Sequence, residues 1–178
     1  DPEFGWFHDI LYPDGKPYRP EEIEAIRWHA ADKRIDWIVC YRPRPKEPAR
    51  RPGEINDTDK EVKYSGGWTL WQGDGPRGGS LHYADQAGCT VEVTFAGTQV
   101  DLLYKMGPDC GIAEVLIDGK PAAKPEIDTY GPNVNWNALA RLAEGLGQGS
   151  HVLKIVVTGR KNSKSSNSYI QVAGFDVR

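Results

Sequence analysis

An all-β sandwich with a short helical appendage ahead of it is the fold class predicted for this chain of 178 residues. Three observations predict it. Apolar residues alternate with polar ones in several short runs, glycine-rich turns separate those runs, and tryptophan and tyrosine cluster in or beside the turns from residue 64 onward. A strand that buries one face sends every second side chain into the core, so alternation marks half-buried antiparallel strands.

In chain order, the first 41 residues carry little that folds alone. Tyr12-Pro13-Asp14-Gly15-Lys16-Pro17-Tyr18 is a turn-rich loop. Pro20 to Asp32 reads as a helix, with proline in its first turn, Glu21 and Glu22 near its positive end, and Ile23, Ile26 and Ala30 as its apolar stripe. Ile35 to Tyr41 reads as a lone strand. Residues 42–60 open with Arg42-Pro43-Arg44-Pro45-Lys46-Glu47-Pro48 and are predicted to be a stiff, extended linker.

The sandwich is assigned to residues 61–178. Cys89, Val91, Val93 and Phe95 share one face of a strand whose other face is Thr90, Glu92 and Thr94. The same parity turns Ala113, Val115 and Ile117 inward, and likewise Leu153, Ile155 and Val157, while Leu116 and Val156 break it. Turns fall at Gly97-Thr98, Gly107-Pro108-Asp109, Asp118-Gly119 and Gly147-Gln148-Gly149. Their spacing suits a sandwich. Asn135 to Leu146 is ambiguous, because Leu139, Leu142 and Leu146 have helical spacing, but Gly145 and the flanking strands favour a strand.

A formal net charge of −3 supplies no field that would draw a polyanion, so nucleic acid and an anionic membrane are not expected partners. No apolar run approaches a membrane span. Six Trp and eight Tyr against four Phe favour rings that keep a polar atom beside a flat apolar face. Such surfaces suit sugars, whose pyranose rings pair an apolar CH face with a hydroxyl rim. Cys40, Cys89 and Cys110 have no metal-ligand spacing. If the strand from Cys89 pairs with the next one, Cys89 and Cys110 come close enough for a disulfide; two separate buried thiols are the alternative. The opening Asp1-Pro2-Glu3-Phe4 reads as a cloning remnant, and the chain as a fragment of a longer protein.

The ordered string Tyr64-Ser65-Gly66-Gly67-Trp68, Gly78-Gly79-Ser80-Leu81-His82-Tyr83, Gly97-Thr98, Gly107-Pro108-Asp109, Asp118-Gly119 and Gly149-Ser150-His151-Val152-Leu153-Lys154-Ile155 resembles the galactose-binding-like, jelly-roll carbohydrate-binding modules appended to bacterial glycoside hydrolases. The loop and helix before residue 41 are similar to the closing segment of some hydrolase catalytic domains. The resemblance implies a jelly-roll module that binds a plant or microbial polysaccharide or oligosaccharide without catalysis, targets a parent catalytic domain, and is secreted or held at the cell surface. A structural sandwich that buttresses its catalytic neighbour is the alternative. The resemblance also implies calcium, for which Glu61 and Asp176 are the candidate acids.

The candidate sugar-binding residues are Trp68, Trp71, His82, Tyr83, Asp109, Tyr130, Asn135, Trp136, Asn162 and Tyr169. Trp68 alternatively caps the core, and Trp136 alternatively packs within it. His82 and Tyr83 are adjacent on a strand, so only one of them reaches a ligand. Asp109 alternatively caps its own turn. Tyr104 shares the parity of Val100 and Leu102 and is assigned to the core. The serines between Asn162 and Tyr169 read as a solvated, mobile loop. No nucleophile elbow, phosphate loop or His-Glu-x-x-His is present, so the chain is not expected to be an enzyme.

Overall fold

The computed structural model describes residues 23–31, 34–41 and 51–178. It divides into two units, Asp1–Glu47 and Pro48–Arg178. In the first, strand β1 (Ile23–Ala31) pairs antiparallel with β2 (Arg34–Tyr41), with Trp28 opposite Trp37. The expected helix at residues 20–32 is therefore corrected over the part described. Ile23, Ile26, Ile35, Ile38 and Val39 are β-branched, and a partner strand eight residues long outweighs a helical stripe only three residues deep. The strand over Ile35 to Tyr41 stands, paired instead of alone. The Tyr12 to Tyr18 loop and the stretch from Arg42 to Arg50 lie outside the described residues.

The second unit is a sandwich of antiparallel strands, β3 (Glu54–Asn56), β4 (Val62–Ser65), β5 (Thr69–Gln72), β6 (Ser80–Ala84), β7 (Thr90–Ala96), β8 (Val100–Met106), β9 (Gly111–Ile117), β10 (Lys120–Asp128), β11 (Asn135–Ala143), β12 (Ser150–Lys161) and β13 (Ile170–Val177). One sheet runs β10-β9-β12-β7-β4. The other runs β11-β8-β13-β6-β5, with β3 added to β13. The chain passes back and forth between the sheets, as a jelly roll does. The sandwich starts at Glu54, ahead of residue 61, because β3 pairs with β13, Ile55 packs on the core and Asp57 is 1% exposed.

One core holds both inner faces together. It takes Val91, Val93, Phe95, Val115, Leu153 and Ile155 from the first sheet and Leu102, Tyr104, Val172 and Phe175 from the second. The predicted alternation in β7, β9 and β12 is observed residue for residue, and Tyr104 is buried. Residues 135–143 form β11, with Ala138 and Leu142 buried and Leu139 exposed, so period two wins over the leucine spacing. Sequential strands β7 and β8 lie in opposite sheets. That separates what pairing would have joined: Cys89 and Cys110 are both free, buried thiols. No helix among the described residues is long and apolar enough to cross a membrane.

The β9–β10 turn shows how the rim of the sandwich is pinned. Asp118 adopts a left-handed backbone, φ 52°, and its carboxylate meets His151 Nδ1 at 2.7 Å and accepts the Val152 N–H at 2.9 Å. His151 Nε2 lies 2.9 Å from the Gly147 carbonyl. The Gly147 carbonyl and then Asp118 raise the His151 pKa above its ordinary value, while His151 and then the Val152 N–H lower that of Asp118. The histidine's share of stability is complete below its unfolded value, roughly 6.5, and is lost as pH rises through the raised folded value. The aspartate's share is lost only as pH falls through its depressed one. Thermal melts of wild type and His151→Gln are expected to differ most near pH 6 and to converge as the medium is made alkaline.

An aromatic cleft on the outer face of a sheet

The candidate site sits on the face of the six-stranded sheet that points away from the core. β8 and β13 are central, and from Val100 to Lys105 and Ile170 to Phe175 every residue is buried. With Leu102, Tyr104, Ile170 and Val172 turned inward, Leu103, Lys105, Gln171 and Ala173 must point outward. Leu81, Leu103 and Ala173 form a small second apolar cluster there, against which Trp71, Tyr83 and Trp136 pack.

Trp136 reaches this face because β11 carries an extra residue. Asn135 pairs with Met106 but Ala138 pairs with Tyr104, so β11 bulges between them. Such an insertion reverses the side to which the following residues point. Ala138 goes to the core and Trp136 goes out. Its ring lies 5.0 Å from that of Trp71 at an interplanar angle of 14°, a stacked pair, and Lys105 Nζ is 5.5 Å from the same indole. Across the cleft Tyr83 meets Tyr169 edge to face at 5.6 Å and 89°.

These rings, with Leu81 below and Lys105, Asp109 and Gln171 between, line a cleft of about 260 Å³. Its polar floor is knitted together. Lys105 Nζ donates to both Asp109 carboxylate oxygens, at 2.9 and 3.0 Å. Gln171 Nε2 lies 3.5 Å from Asp109 Oδ2 and 3.5 Å from Cys110 Sγ. Partial burial alone would raise the Asp109 pKa, but the Lys105 hydrogen bonds and charge outweigh it and hold the carboxyl below its usual range. Burial, then the neighbouring Asp109 carboxylate, pushes the Cys110 thiol up to about 12, so it stays protonated.

Two loops hold the walls. In the β5–β6 hairpin Gly75, φ +132°, lies on the Trp136 indole so closely that a Cβ there would sit 2.8 Å from Cδ2. Asn137 Nδ2 donates to the Gly75 carbonyl at 2.9 Å, and the Arg77 N–H donates back to Asn137 Oδ1 at 2.8 Å. The serine-rich loop is exposed at Ser163, Lys164 and Ser166, as expected, but is tied to the sandwich through Ser165. Ser165 is buried, and its hydroxyl lies 2.7 to 3.0 Å from the carbonyls of Pro108, Cys110 and Asn167. Those bonds, with the Tyr169 N–H donating to the Asp109 carbonyl at 3.2 Å, fix the turn that presents Asp109 beside Tyr169.

Of the residues singled out from sequence, the structure brings Trp71, Tyr83, Asp109, Trp136 and Tyr169 together. Trp71, Tyr83 and Trp136 stand on a sheet face, and Tyr169 at the loop end just before β13. Trp68 caps the core against Tyr64, ring centroids 5.1 Å apart, with its Nε1 buried and unpartnered. His82 points the other way from Tyr83, stacks on Tyr64 at 4.1 Å and holds buried Asp57 at 2.8 Å. Tyr130 bridges to Gly107, Asn135 accepts the Asn137 N–H, and Asn162 donates to Asp128 at 2.8 Å, so these three shape turns outside the cleft lining. Leu81, Lys105 and Gln171 were missed. For Lys105 the signal existed, since placing Tyr104 inward turns Lys105 outward.

The two acids named for calcium, Glu61 and Asp176, each have a cationic neighbour. Asp176 stands opposite Glu54 on the β3–β13 ladder, and Arg77 bridges the like-charged pair at 2.6 and 3.3 Å. Glu61 has Lys60 at 3.9 Å. Among the described residues no group of three or more His, Cys, Asp and Glu is set to hold a metal.

No family model matches the chain. It is 32% identical over 135 residues to the A type blood N-acetyl-α-D-galactosamine deacetylase of Flavonifractor plautii, covering 76% of this chain and 17% of that protein. It is 27% identical over 145 residues to the A type blood α-D-galactosamine galactosaminidase of the same organism, covering 75% of this chain and 13% of that one. Its relatives are carbohydrate-active enzymes. That finding corrects the expectation, drawn from missing catalytic motifs, that the chain is no enzyme: both matches are named as enzymes, although the chain spans less than a fifth of either. Among solved structures, a Paenibacillus xanthan lyase aligns with TM-score 0.58 and 16% identity, over 74% of this chain and 13% of its own. A two-domain esterase active on acetylated mannans aligns with TM-score 0.51 and 13% identity, over 70% and 36%. These two likenesses support the sandwich fold alone.

Replacing Arg77 by Met leaves Asp176 without its cation and Glu54 with only the exposed Arg51, 3.5 Å away, while both carboxylates stay largely shielded. Removing one member of a shielded ion network is expected to cost about 2 kcal/mol of unfolding free energy, read from urea titration. The Arg77→Lys variant is expected to recover only part of it, because one ammonium does not reproduce the fork that spans both acids.

Proposed function

We propose that this chain is the saccharide-holding part of a longer carbohydrate-active enzyme, and that the sugar lies in the cleft between the Trp71–Trp136 pair and the Tyr83–Tyr169 pair. The observation that carries this reading is the convergence of four aromatic residues on the outer face of one sheet, around a polar floor of Lys105, Asp109 and Gln171. A pyranose presents an apolar CH face and a hydroxyl rim. The indole edges and tyrosine rings take the first, and the tyrosine hydroxyls, the Gln171 amide and the Lys105–Asp109 pair take the second.

The N-acetyl-α-D-galactosamine in the first relative's name favours a galactose-configured residue as ligand. At 260 Å³ the cleft is just under the usual range of small-molecule pockets, about 300–1,000 Å³, which favours a short terminal segment over a long chain. Few hydrogen bonds are exchanged against water, so affinity is expected between roughly micromolar and millimolar. Such weak holding becomes effective when it is tethered to the rest of an enzyme acting on a polymeric glycan, because linkage raises the local concentration. A secreted or cell-surface enzyme fits that use.

Calorimetry of the chain against a panel of neutral oligosaccharides tests the proposal. Trp136→Ala and Tyr83→Ala are each expected to weaken binding by about tenfold or more, with the sandwich intact by circular dichroism. A Trp71→Ala/Trp136→Ala double variant that binds as well as wild type, or a wild type that binds no glycan, would sink it, the latter pointing to a structural role for the sandwich.

A further inference from the structure

The chemistry of the cleft floor goes further and names the class of sugar; this inference rests on the saccharide reading above. Lys105 and Asp109 are paired at 2.9 and 3.0 Å, with the lysine side chain 10% exposed and the aspartate 33%. Their charges cancel within the cleft lining, which contains no other Lys, Arg, Asp or Glu. The Cys110 thiol beside them carries no charge, since burial keeps its proton on.

Each partner nevertheless has bonding capacity left. An ammonium has three N–H donors, and Lys105 directs two at Asp109. A carboxylate offers about four lone-pair sites; Lys105 fills one on each oxygen, and the other two meet only the long contacts of Gln171 Nε2 at 3.5 Å and Cys110 Sγ at 3.6 Å, which a ligand hydroxyl can displace. The pair can therefore give one hydrogen bond and accept others, the pattern that vicinal hydroxyls or a hydroxyl beside an amide satisfy. A charged ligand fares differently. A sugar ammonium drawn to Asp109 meets the Lys105 ammonium on the same two oxygens, and a sugar carboxylate drawn to Lys105 meets Asp109. Against low-dielectric walls of Trp136, Tyr83 and Leu81 that repulsion is poorly screened.

We propose that the Lys105–Asp109 pair is a charge filter, through which the cleft takes neutral pyranoses, N-acetylated amino sugars among them, and refuses free amino sugars and uronic acids. Specificity of this kind comes from a built-in repulsion as much as from attraction.

The test is calorimetry of the full chain with four methyl glycosides of one ring configuration, the neutral hexose, its 2-acetamido, its 2-amino and its uronic acid form, repeated in the galacto, gluco and manno series. The hexose and the acetamido sugar are expected to bind, and the two charged sugars to bind about tenfold more weakly or not at all. Lys105→Met frees the carboxylate and is expected to turn the preference to the amino sugar, while Asp109→Asn frees the ammonium and turns it to the uronic acid. Equal affinity for all four in wild type, or preference for a charged one, overturns the filter while leaving the cleft as a sugar site. Binding of none in any series overturns the cleft itself. Should either variant fail to fold, the comparison within wild type decides the question.

Discussion

The outer-face cleft depends on where two extra residues fall in the six-stranded sheet. A strand alternates its side chains strictly, so every residue's face is fixed until the ladder slips by one. In β11 the slip comes between Asn135 and Ala138 and sends Trp136 out while Ala138 and Leu142 go in. In β13 it comes between Val172 and Gly174, which face Tyr104 and Leu103 of β8, and it lets Ala173 stay out while Phe175 returns to the core. Gly174 makes the second slip possible: its φ is +151°, and a Cβ there would lie 2.4 Å from the Ile55 carbonyl on β3. A bulge bends the strand that carries it and is a common way of re-aiming a side chain next to a site.

Between those slips, β8 and β13 are buried on both faces, which accounts for the polar residues beneath the cleft. Lys105, Asp101 and Gln171 are each less than a tenth exposed, and buried polar groups persist only when bonded. Lys105 takes Asp109, Asp101 takes Arg141 from β11, and Gln171 reaches both Asp109 and Cys110. The network fixes the lysine head beside Trp136 and leaves the cleft rigid and without net charge. On the inner face the same logic appears once more, where Asp57 accepts from Ser80 at 2.7 Å and meets His82 at 2.8 Å beneath the Tyr64 ring. His82 is therefore spent on holding β6 to the chain before β4. Its neighbour Tyr83 is the one that lines the cleft.

Much of this fold was legible in the sequence because alternation reports burial directly. Cys89 to Phe95, Ala113 to Ile117 and Leu153 to Val157 each showed their inner face by period alone, and so did Tyr104. The helical stripe through Ile23, Ile26 and Ala30 misled because three apolar positions do not distinguish a helix from a strand whose partner lies a few residues on. The site was half legible. Composition pointed to the aromatics, yet the sorting of Trp68 to the core and Trp71 to the cleft depends on which sheet their segments join, a long-range fact. The anchoring of the serine-rich loop was hidden for a related reason: Ser165 bonds to carbonyls of the turn at Pro108 to Cys110, more than fifty residues away in sequence.

That distance matters for how the cleft is held open. Its two aromatic walls are anchored independently, one through the β5–β6 hairpin to β11 by Asn137, the other through the serine-rich loop to the Asp109 turn by Ser165. The hairpin is anchored again at its far side, where Arg77 ties it to Glu54 on β3 and Asp176 on β13. β3 is thus joined to the hairpin by the Arg77 guanidinium as well as to β13 by its ladder, and that guanidinium offsets the repulsion between the like-charged pair opposite one another on the ladder. Ring stacking between Trp71 and Trp136 needs Gly75 seated on the indole, and Gly75 is seated because both Asn137 and Arg77 hold the hairpin down. The chain thereby makes this cleft from segments that are weak alone, each fixed by a partner distant in sequence. On the proposed reading, a sugar would meet rings already placed, and little of its binding free energy would be spent in ordering them.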